Sequence, residues 1–307
     1  MIEILIISPD DLGGVSEAWQ SQMGTLSQEA DQVMHGVHLV ETAEGSREWE
    51  LWADRALSFK GKGSWNVEKV RVVFFSDQGI EFRVTGDRGS IKIDSKDMLI
   101  EGNVVTQTSN DYLFYTDAMV YNSALRELTS EHDVKILGPR DKNRFRMELT
   151  GTGMLTDVKK SDMFVRKNVN GNRPLEGERM LKIRSNEAKM NGYSREVVFY
   201  GQVVMDVDAQ TITGPVASLK YDRNQSDLKT IEFVGGVRVS DENKWAVSDR
   251  LTIFVPEKKL VLEGSPRVVQ NNDEIQGDVI VFLNGGKQIQ VLSGQAQLSN
   301  KRSEKEL

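Results

Sequence analysis

Phe199-Tyr200-Gly201-Gln202-Val203, Gly235-Gly236-Val237-Arg238-Val239 and Leu262-Glu263-Gly264-Ser265-Pro266-Arg267-Val268 are three versions of one phrase. Apolar residues lead into a glycine, and apolar residues at alternate positions follow it. A fainter copy is Val291-Leu292-Ser293-Gly294, and an earlier one is Ile100-Glu101-Gly102-Asn103-Val104. The later copies recur roughly every 28–35 residues, a period that marks stacked supersecondary units. Each interval suits two short strands and two turns. A glycine opening a strand permits a bulge or a φ that other residues resist, so the chain turns a corner in register. The phrase reads as repetitive β structure with no helix behind it.

Working outward, the chain from Val33 shows short alternating runs: Val37–Val40, Trp49–Ala53, Val70–Phe75, Ile80–Val84, Ile91–Ile93, Met98–Val105 and Tyr112–Tyr115. Gly61-Lys62-Gly63, Asp77-Gln78-Gly79 and Gly86-Asp87-Arg88-Gly89 bound them as turn signals. Gly151-Thr152-Gly153 and Gly285-Gly286 read as hairpin turns. Such spacing predicts an all-β sandwich, barrel or roll. Asn168–Glu178 is the concentrated Gly/Pro/Asn stretch, a boundary or hinge. The runs Met163–Val165 and Met180–Ile183 on either side of it would lie side by side as adjoining edges. The expected organisation is an arm at 1–32, either flexible or with a short helix over Ser16–Met23. A β module at 33–170, a linker at 171–178, a second β module at 179–298 and a charged tail at 299–307 follow.

Composition narrows the function. Hydrophobic residues make up 38% of the 307, charged residues 28%, and mean hydropathy is −0.42. That balance suits thin sheets with one wet face. A net charge of −7 argues against nucleic acid, which needs a basic surface. With no cysteine there is no disulfide, thiolate metal site or cysteine nucleophile. No stretch approaches the ~20 apolar residues of a membrane span. Ile2–Ile7 is apolar but short, and it lacks the basic flank and cleavage site of a secretory signal. The expectation is that the chain as given shows no export signal or anchor of its own.

Motifs of catalysis are missing. His35, His38 and His132 have no neighbouring ligand set for a metal. There is no nucleophile elbow, zinc-protease helix or phosphate loop. Carboxylates such as Asp206, Asp208, Asp241 and Glu242 fall in turns or on outer faces. The cluster Arg140, Lys142, Arg144 and Arg146 is either a solvated face or a meeting place for an anionic head group. We expect no enzyme activity, no cofactor and no metal.

The apolar alternation carries more. Val203, Met205 and Val207 share a strand face, as do Ile231 with Phe233 and Val237 with Val239. Ile253 and Val255, Leu260 and Leu262, and Val279 and Val281 repeat the pattern, with Val268 beside them. Val104, Phe114 and Ile136 are the counterparts in the first half. These faces make either an ordinary dry core or, if held apart, an apolar trough for acyl chains. Periodicity is the same for both. Ile289, Gln290 and Val291 lie on the last strand, whose open edge is suited to β-augmentation by another chain.

Residues 197–298 resemble the LptA/OstA family of periplasmic lipopolysaccharide-transport proteins. The likeness runs through Gly201-Gln202-Val203, Gly214-Pro215-Val216-Ala217, Gly236-Val237-Arg238-Val239 and Ala246-Val247-Ser248-Asp249-Arg250-Leu251, then Glu263-Gly264-Ser265-Pro266-Arg267-Val268 and Gln276-Gly277-Asp278. Residues 33–170 resemble LptC, the inner-membrane-anchored member of the same pathway. The phrases there are Glu48-Trp49-Glu50-Leu51-Trp52-Ala53-Asp54-Arg55-Ala56, Gly102-Asn103-Val104, Thr116-Asp117-Ala118, Asp133-Val134-Lys135-Ile136, Gly151-Thr152-Gly153-Met154 and Asn168-Val169. The resemblance implies two tandem open β-jelly-roll modules, able to run on as one continuous roll, that hold lipopolysaccharide acyl chains inside. It implies a periplasmic, inner-membrane-associated bridge between a lipopolysaccharide ABC transporter of the inner membrane and a receptor of the outer membrane, with end-to-end self-association. The LptC family normally begins with a membrane-spanning helix, which residues 1–30 do not show. The rival expectation is a structural or adhesive β-solenoid with a closed dry core and no lipid.

Overall fold

The computed structural model describes residues 3–4, 30–43, 45–59, 61–222, 226–242, 244–271 and 273–297. The helix expected over Ser16–Met23 and the charged tail at 299–307 lie outside them. Every regular element among the described residues is a strand. The chain packs as two compact units, Met1–Pro139 with Thr150–Arg166, and Arg140–Leu149 with Lys167–Leu307.

The first unit holds β1 (Glu3–Ile4), β2 (Gln32–Ala43), β3 (Ser46–Ser58), β4 (Ser64–Phe75), β5 (Glu81–Lys92), β6 (Met98–Thr108), β7 (Leu113–Asn122) and β8 (Glu127–Leu137). It also takes most of β9 (Glu148–Asp157) and the start of β10 (Asp162–Pro174). From β2 to β8 each strand pairs antiparallel with the next. These strands are longer than the runs read from sequence, because some glycine signals bend strands instead of ending them. Gly86-Asp87-Arg88-Gly89 lies inside β5, and Gly151-Thr152-Gly153, expected as a hairpin turn, lies inside β9.

The bend has a repeated chemistry. The ladder of β5 with β6 shifts between Thr85 and Arg88, and that of β6 with β7 between Glu101 and Val104. At this break Gly102 has φ +77° and Asn103 φ 47°. The Asp87 side chain packs over Gly102, where a Cβ would lie 2.6 Å from its carboxylate, and accepts a 2.8 Å hydrogen bond from Asn103 Nδ2. Gly201, with φ +75°, faces Asn186 in the same way, and Gly264 faces Asp249. Left-handed backbone and close approach both demand glycine here.

Bent strands fold the sheet onto itself. Phe74 nearly ends β4 and Tyr121 nearly ends β7, three strands away, yet their ring centroids are 4.4 Å apart. Thr106 on β6 lies 3.8 Å from the sulfur of Met119, which stands beyond the bend of β7. Arg126, just ahead of β8, fastens the ends of this fold: it donates to the Phe75 carbonyl at 2.7 Å and to Asp77 at 3.1 Å, and pairs with Glu48 at 3.7 Å. Burial, and after it the charge of Glu48, push the Tyr121 hydroxyl up to about 12.

The second unit repeats the plan with β11 (Met180–Ser185), β12 (Glu187–Asn191), β13 (Glu196–Val207), β14 (Gln210–Tyr221), β15 (Leu228–Asp241) and β16 (Lys244–Phe254). Its last strands are fully split at the bend: β17 (Lys259–Glu263) and β18 (Arg267–Gln270), β19 (Asp273–Gln276) and β20 (Val279–Leu283), and β21 (Gln288–Leu292) and β22 (Gln295–Gln297). The linker expected at 171–178 is a β-hairpin. Val169–Pro174 of β10 pairs with Met180–Ser185, and the turn is closed by the Leu175 amide on the Arg179 carbonyl at 2.8 Å. Met180–Ile183 therefore lies against residues 171–174, not against Met163–Val165. The buried side chains of Met147 and Leu149, N-terminal to that hairpin, and of Val169 at its start belong to this unit's core.

The bends are the positions least tolerant of a side chain. Gly102→Ala and Gly201→Ala should each lose about 2–3 kcal/mol in denaturant unfolding, from strain and crowding together. Gly236→Ala, at φ +93° with open space around it, should lose only about 1 kcal/mol.

Candidate functional site

Opposed residues of an antiparallel ladder point to the same face, so register identifies the interior directly. In the second unit one row runs Ala188, Phe199, Ala217, Phe233, Leu251, Leu262, Ile280 and Val291 across β12 to β21. The next runs Met190, Val197, Leu219, Ile231, Ile253, Leu260, Phe282 and Ile289. Beyond the bend, Ile183, Met205, Ile212, Val239, Ala246, Val268, Ile275 and Ala296 form a third. These rows are the apolar interior.

Cover over the second and third rows falls along the chain, while the first stays buried from Ala188 through Ile280. Phe199, Leu219 and Phe233 are 0% exposed and Ile231 is buried. Ile253, Leu260 and Phe282, in the same row as Ile231, are half-exposed, and Ile289 reaches 42%. In the third row Ile183, Met205 and Ile212 are buried, while Val239, Val268 and Ile275 are half-exposed. The interior is closed near β13 and uncovered toward β21 and β22.

Of the groove residues singled out from sequence, Met205, Ile231, Phe233, Val239, Ile253, Leu260, Leu262 and Val268 lie on these rows. Val203 and Val237 are buried beside the bend, and Val207 is half-buried opposite Leu181 on the same face. In the first unit Phe114 and Ile136 are opposed, and Val104 is buried opposite Thr116. Val255 falls past the end of β16 in a turn, its amide on the Lys229 carbonyl. Val279 and Val281 point the other way, opposite Glu263 and Val261, and the interior residues of β20 are Ile280 and Phe282.

The sequence reading also passed over Phe199, Ala217, Leu219 and Leu251. Alternation read straight through a bend loses phase where the bend adds an odd residue. In β14 the interior residues are Ile212 and then Ala217, and in β16 Ala246 and then Leu251. The signal that would have found them is the bend itself, at Gly214-Pro215 and at Ser248-Asp249.

β21 pairs with β20 and β22 pairs with β19, and neither has a second partner among the described residues. Ile289 and Val291 face the interior row while Gln290, opposite Val281, faces out. A shallow crease lies on the outer side of the bend, lined by Val234, Gly235, Gly236, Asp249, Arg250, Glu263 and Gly264. Among the described residues no group of three or more His, Cys, Asp or Glu could hold a metal ion.

Comparison with known proteins agrees with this two-part organisation. Residues 14–174 match the family model for lipopolysaccharide-assembly, LptC-related proteins. Residues 182–288 match the model for LptA/(LptD N-terminal domain) LPS transport proteins. The lipopolysaccharide export system protein LptH of Pseudomonas aeruginosa is 25% identical over 116 residues, 36% of this chain and 66% of the relative. The chain thus spans about two thirds of the curated relative it matches. A crystal structure of LptH, the LptA-homologous periplasmic component of the lipopolysaccharide transport device of that organism, aligns at a TM-score of 0.35 and 16% identity. It covers 39% of this chain and 95% of that one.

The fall in cover has an energetic signature. Phe233→Ala should cost about 3–5 kcal/mol of unfolding free energy, as for a buried core aromatic. Phe282→Ala, half-exposed on the next row, should cost under about 1.5 kcal/mol.

Proposed function

This chain belongs to the LptC-related lipopolysaccharide-assembly family, and from that premise we propose that it is a non-enzymatic component of the periplasmic bridge that carries lipopolysaccharide toward the outer membrane. Family membership supports the coarse reading, a periplasmic lipopolysaccharide-transport protein. No helix among the described residues is long and apolar enough to cross a membrane.

The finer reading is that the interior rows take the acyl chains and leave the sugar head group at the lip of the interior. The observation that carries it is the loss of cover over Ile253, Leu260, Phe282 and Ile289, on a row fully buried nearer β13. An apolar row closed at one end and open at the other gives a lipid tail a place to enter that a closed core lacks. Transfer along it needs no chemistry in the chain: an ATP-driven transporter of the inner membrane supplies the push, and an outer-membrane receptor takes the product. The free edge of β21, with Ile289, Gln290 and Val291, is the surface for the next jelly roll, a second copy or that receptor, by strand addition. The rival is a solenoid with a dry core, favoured by the complete burial of Phe199, Leu219 and Phe233.

Displacement of a hydrophobic fluorophore by lipopolysaccharide separates the two. The full chain should bind lipopolysaccharide saturably. Ile253→Asp and Phe282→Asp should weaken binding by roughly tenfold or more with strand content retained, since a charge in an apolar trough is costly and an open trough relieves part of that cost. Unfolding of the second unit by either substitution would mark a closed core and defeat the groove.

A further inference from the structure

Arg173 is a charged residue on an apolar face. It stands on β10 opposite Leu181, which in turn stands opposite Val207. Its side chain is 3% exposed. Nη2 donates to the Asp141 carboxylate at 2.7 Å, and the guanidinium lies 5.2 Å from the centre of the Tyr221 ring. Tyr221 ends β14, on the layer that carries Leu219, so Arg173 spans the lip between the two layers of the second unit. Its Nε is buried with no hydrogen-bond partner among the described residues.

Asp141 arrives from outside the sheet, on the segment between β8 and β9. Its other carboxylate oxygen accepts the amides of Asn143 and Phe145 at 2.9 and 2.8 Å, so the turn holds the carboxylate in place. The same segment is fastened to the β14–β15 connection by Lys142 on Asp227 at 3.3 Å. It is fastened to the β10–β11 turn by Asn143 on Glu176 at 3.1 Å. Arg140, Lys142 and Arg144 are exposed on it. The basic cluster noted in the sequence is therefore a strap across the lip of the apolar interior.

A buried ion pair adds little net stability, because desolvation offsets the attraction, and apolar residues of similar volume often serve as well. Its best-attested use is as a switch. A guanidinium fork fits a phosphate as well as a carboxylate, and here part of the fork is unused. With Asp141 withdrawn, Arg173 and the strap cations would face an anion on one side while Leu181, Val207 and Tyr221 offer apolar surface on the other. We propose that Arg173 is a recognition site for a phosphate monoester borne on an acylated sugar, and that Asp141 is its built-in competitor, closing the lip until the lipid phosphate replaces it. This inference rests on the groove reading above.

The test uses the full chain, with displacement of a hydrophobic fluorophore by lipid A and by the same lipid stripped of its phosphates. Lipid A should bind the native chain more tightly than the stripped lipid. Asp141→Asn keeps an acceptor for the turn and removes the competing charge, so its affinity for lipid A should rise about tenfold while that for the stripped lipid stays constant. The double variant D141N/R173M leaves no unpaired buried charge and should bind both lipids alike. Should D141N fail to fold, loss or retention of the phosphate preference in the double variant still decides. Equal displacement by both lipids in the native chain and in D141N would overturn the anion site and leave the groove standing. If neither lipid displaces the fluorophore from any folded variant, the groove reading itself fails. If inorganic phosphate abolishes the advantage of lipid A, the site reads a free anion and the lipid-specific proposal is overturned.

Discussion

A strand that serves two layers must bend at its middle and keep its ladder on both sides, and the rest of this structure depends on how that is done. The device is a glycine in the left-handed region set against a short polar side chain at the neighbouring bend: Gly102 under Asp87, Gly201 under Asn186, Gly264 under Asp249. The glycine lets the backbone reverse its curvature, and the facing Asp or Asn fills the space that its missing Cβ leaves. Without the bends the same alternation would make a flat sheet with one greasy side. With them the apolar side folds inward, and Phe74 meets Tyr121 from three strands away.

Folding inward leaves the polar groups at the lips to hold the layers together. In the first unit that task falls to Arg126, which reaches Phe75, Asp77 and Glu48. In the second it falls to Arg173, with Asp141 beside it and Tyr221 beneath it. The two arrangements differ in depth. Arg126 retains 19% side-chain exposure and meets groups near its own surface, whereas Arg173 is 3% exposed on the interior face. A partly exposed clamp is a modest stabiliser. A buried pair adds little net stability over apolar residues of similar volume, because desolvation offsets its attraction.

Much of this was legible in the sequence. The glycine phrases gave the period and the β class, and period-two alternation named Met205, Ile231, Phe233, Leu260 and Leu262 as interior. The resemblance to two transport families carried the order of the halves. What was misread has one physical cause. A bend with an odd residue reverses which parity faces inward, so Val279 and Val281 looked interior when Ile280 and Phe282 are. For the same reason Gly86-Asp87-Arg88-Gly89 and Gly151-Thr152-Gly153 looked like turns, since local composition is the same for a bend and a reversal. The Arg173–Asp141 pair is 32 residues apart in sequence and was beyond any local pattern.

That interior parity is also where the lipid-carrying reading is most exposed to experiment. A photoreactive side chain placed singly at Ile253, Leu260 and Phe282 samples one row of the uncovered interior, and placed at Thr252, Val261 and Val281 samples the opposed outer row of the same three strands. Crosslinking to lipopolysaccharide should occur along the first row and be absent along the second. Equal labelling of both rows, or labelling of neither by a folded and lipid-exposed protein, would contradict a conduit inside the sheet.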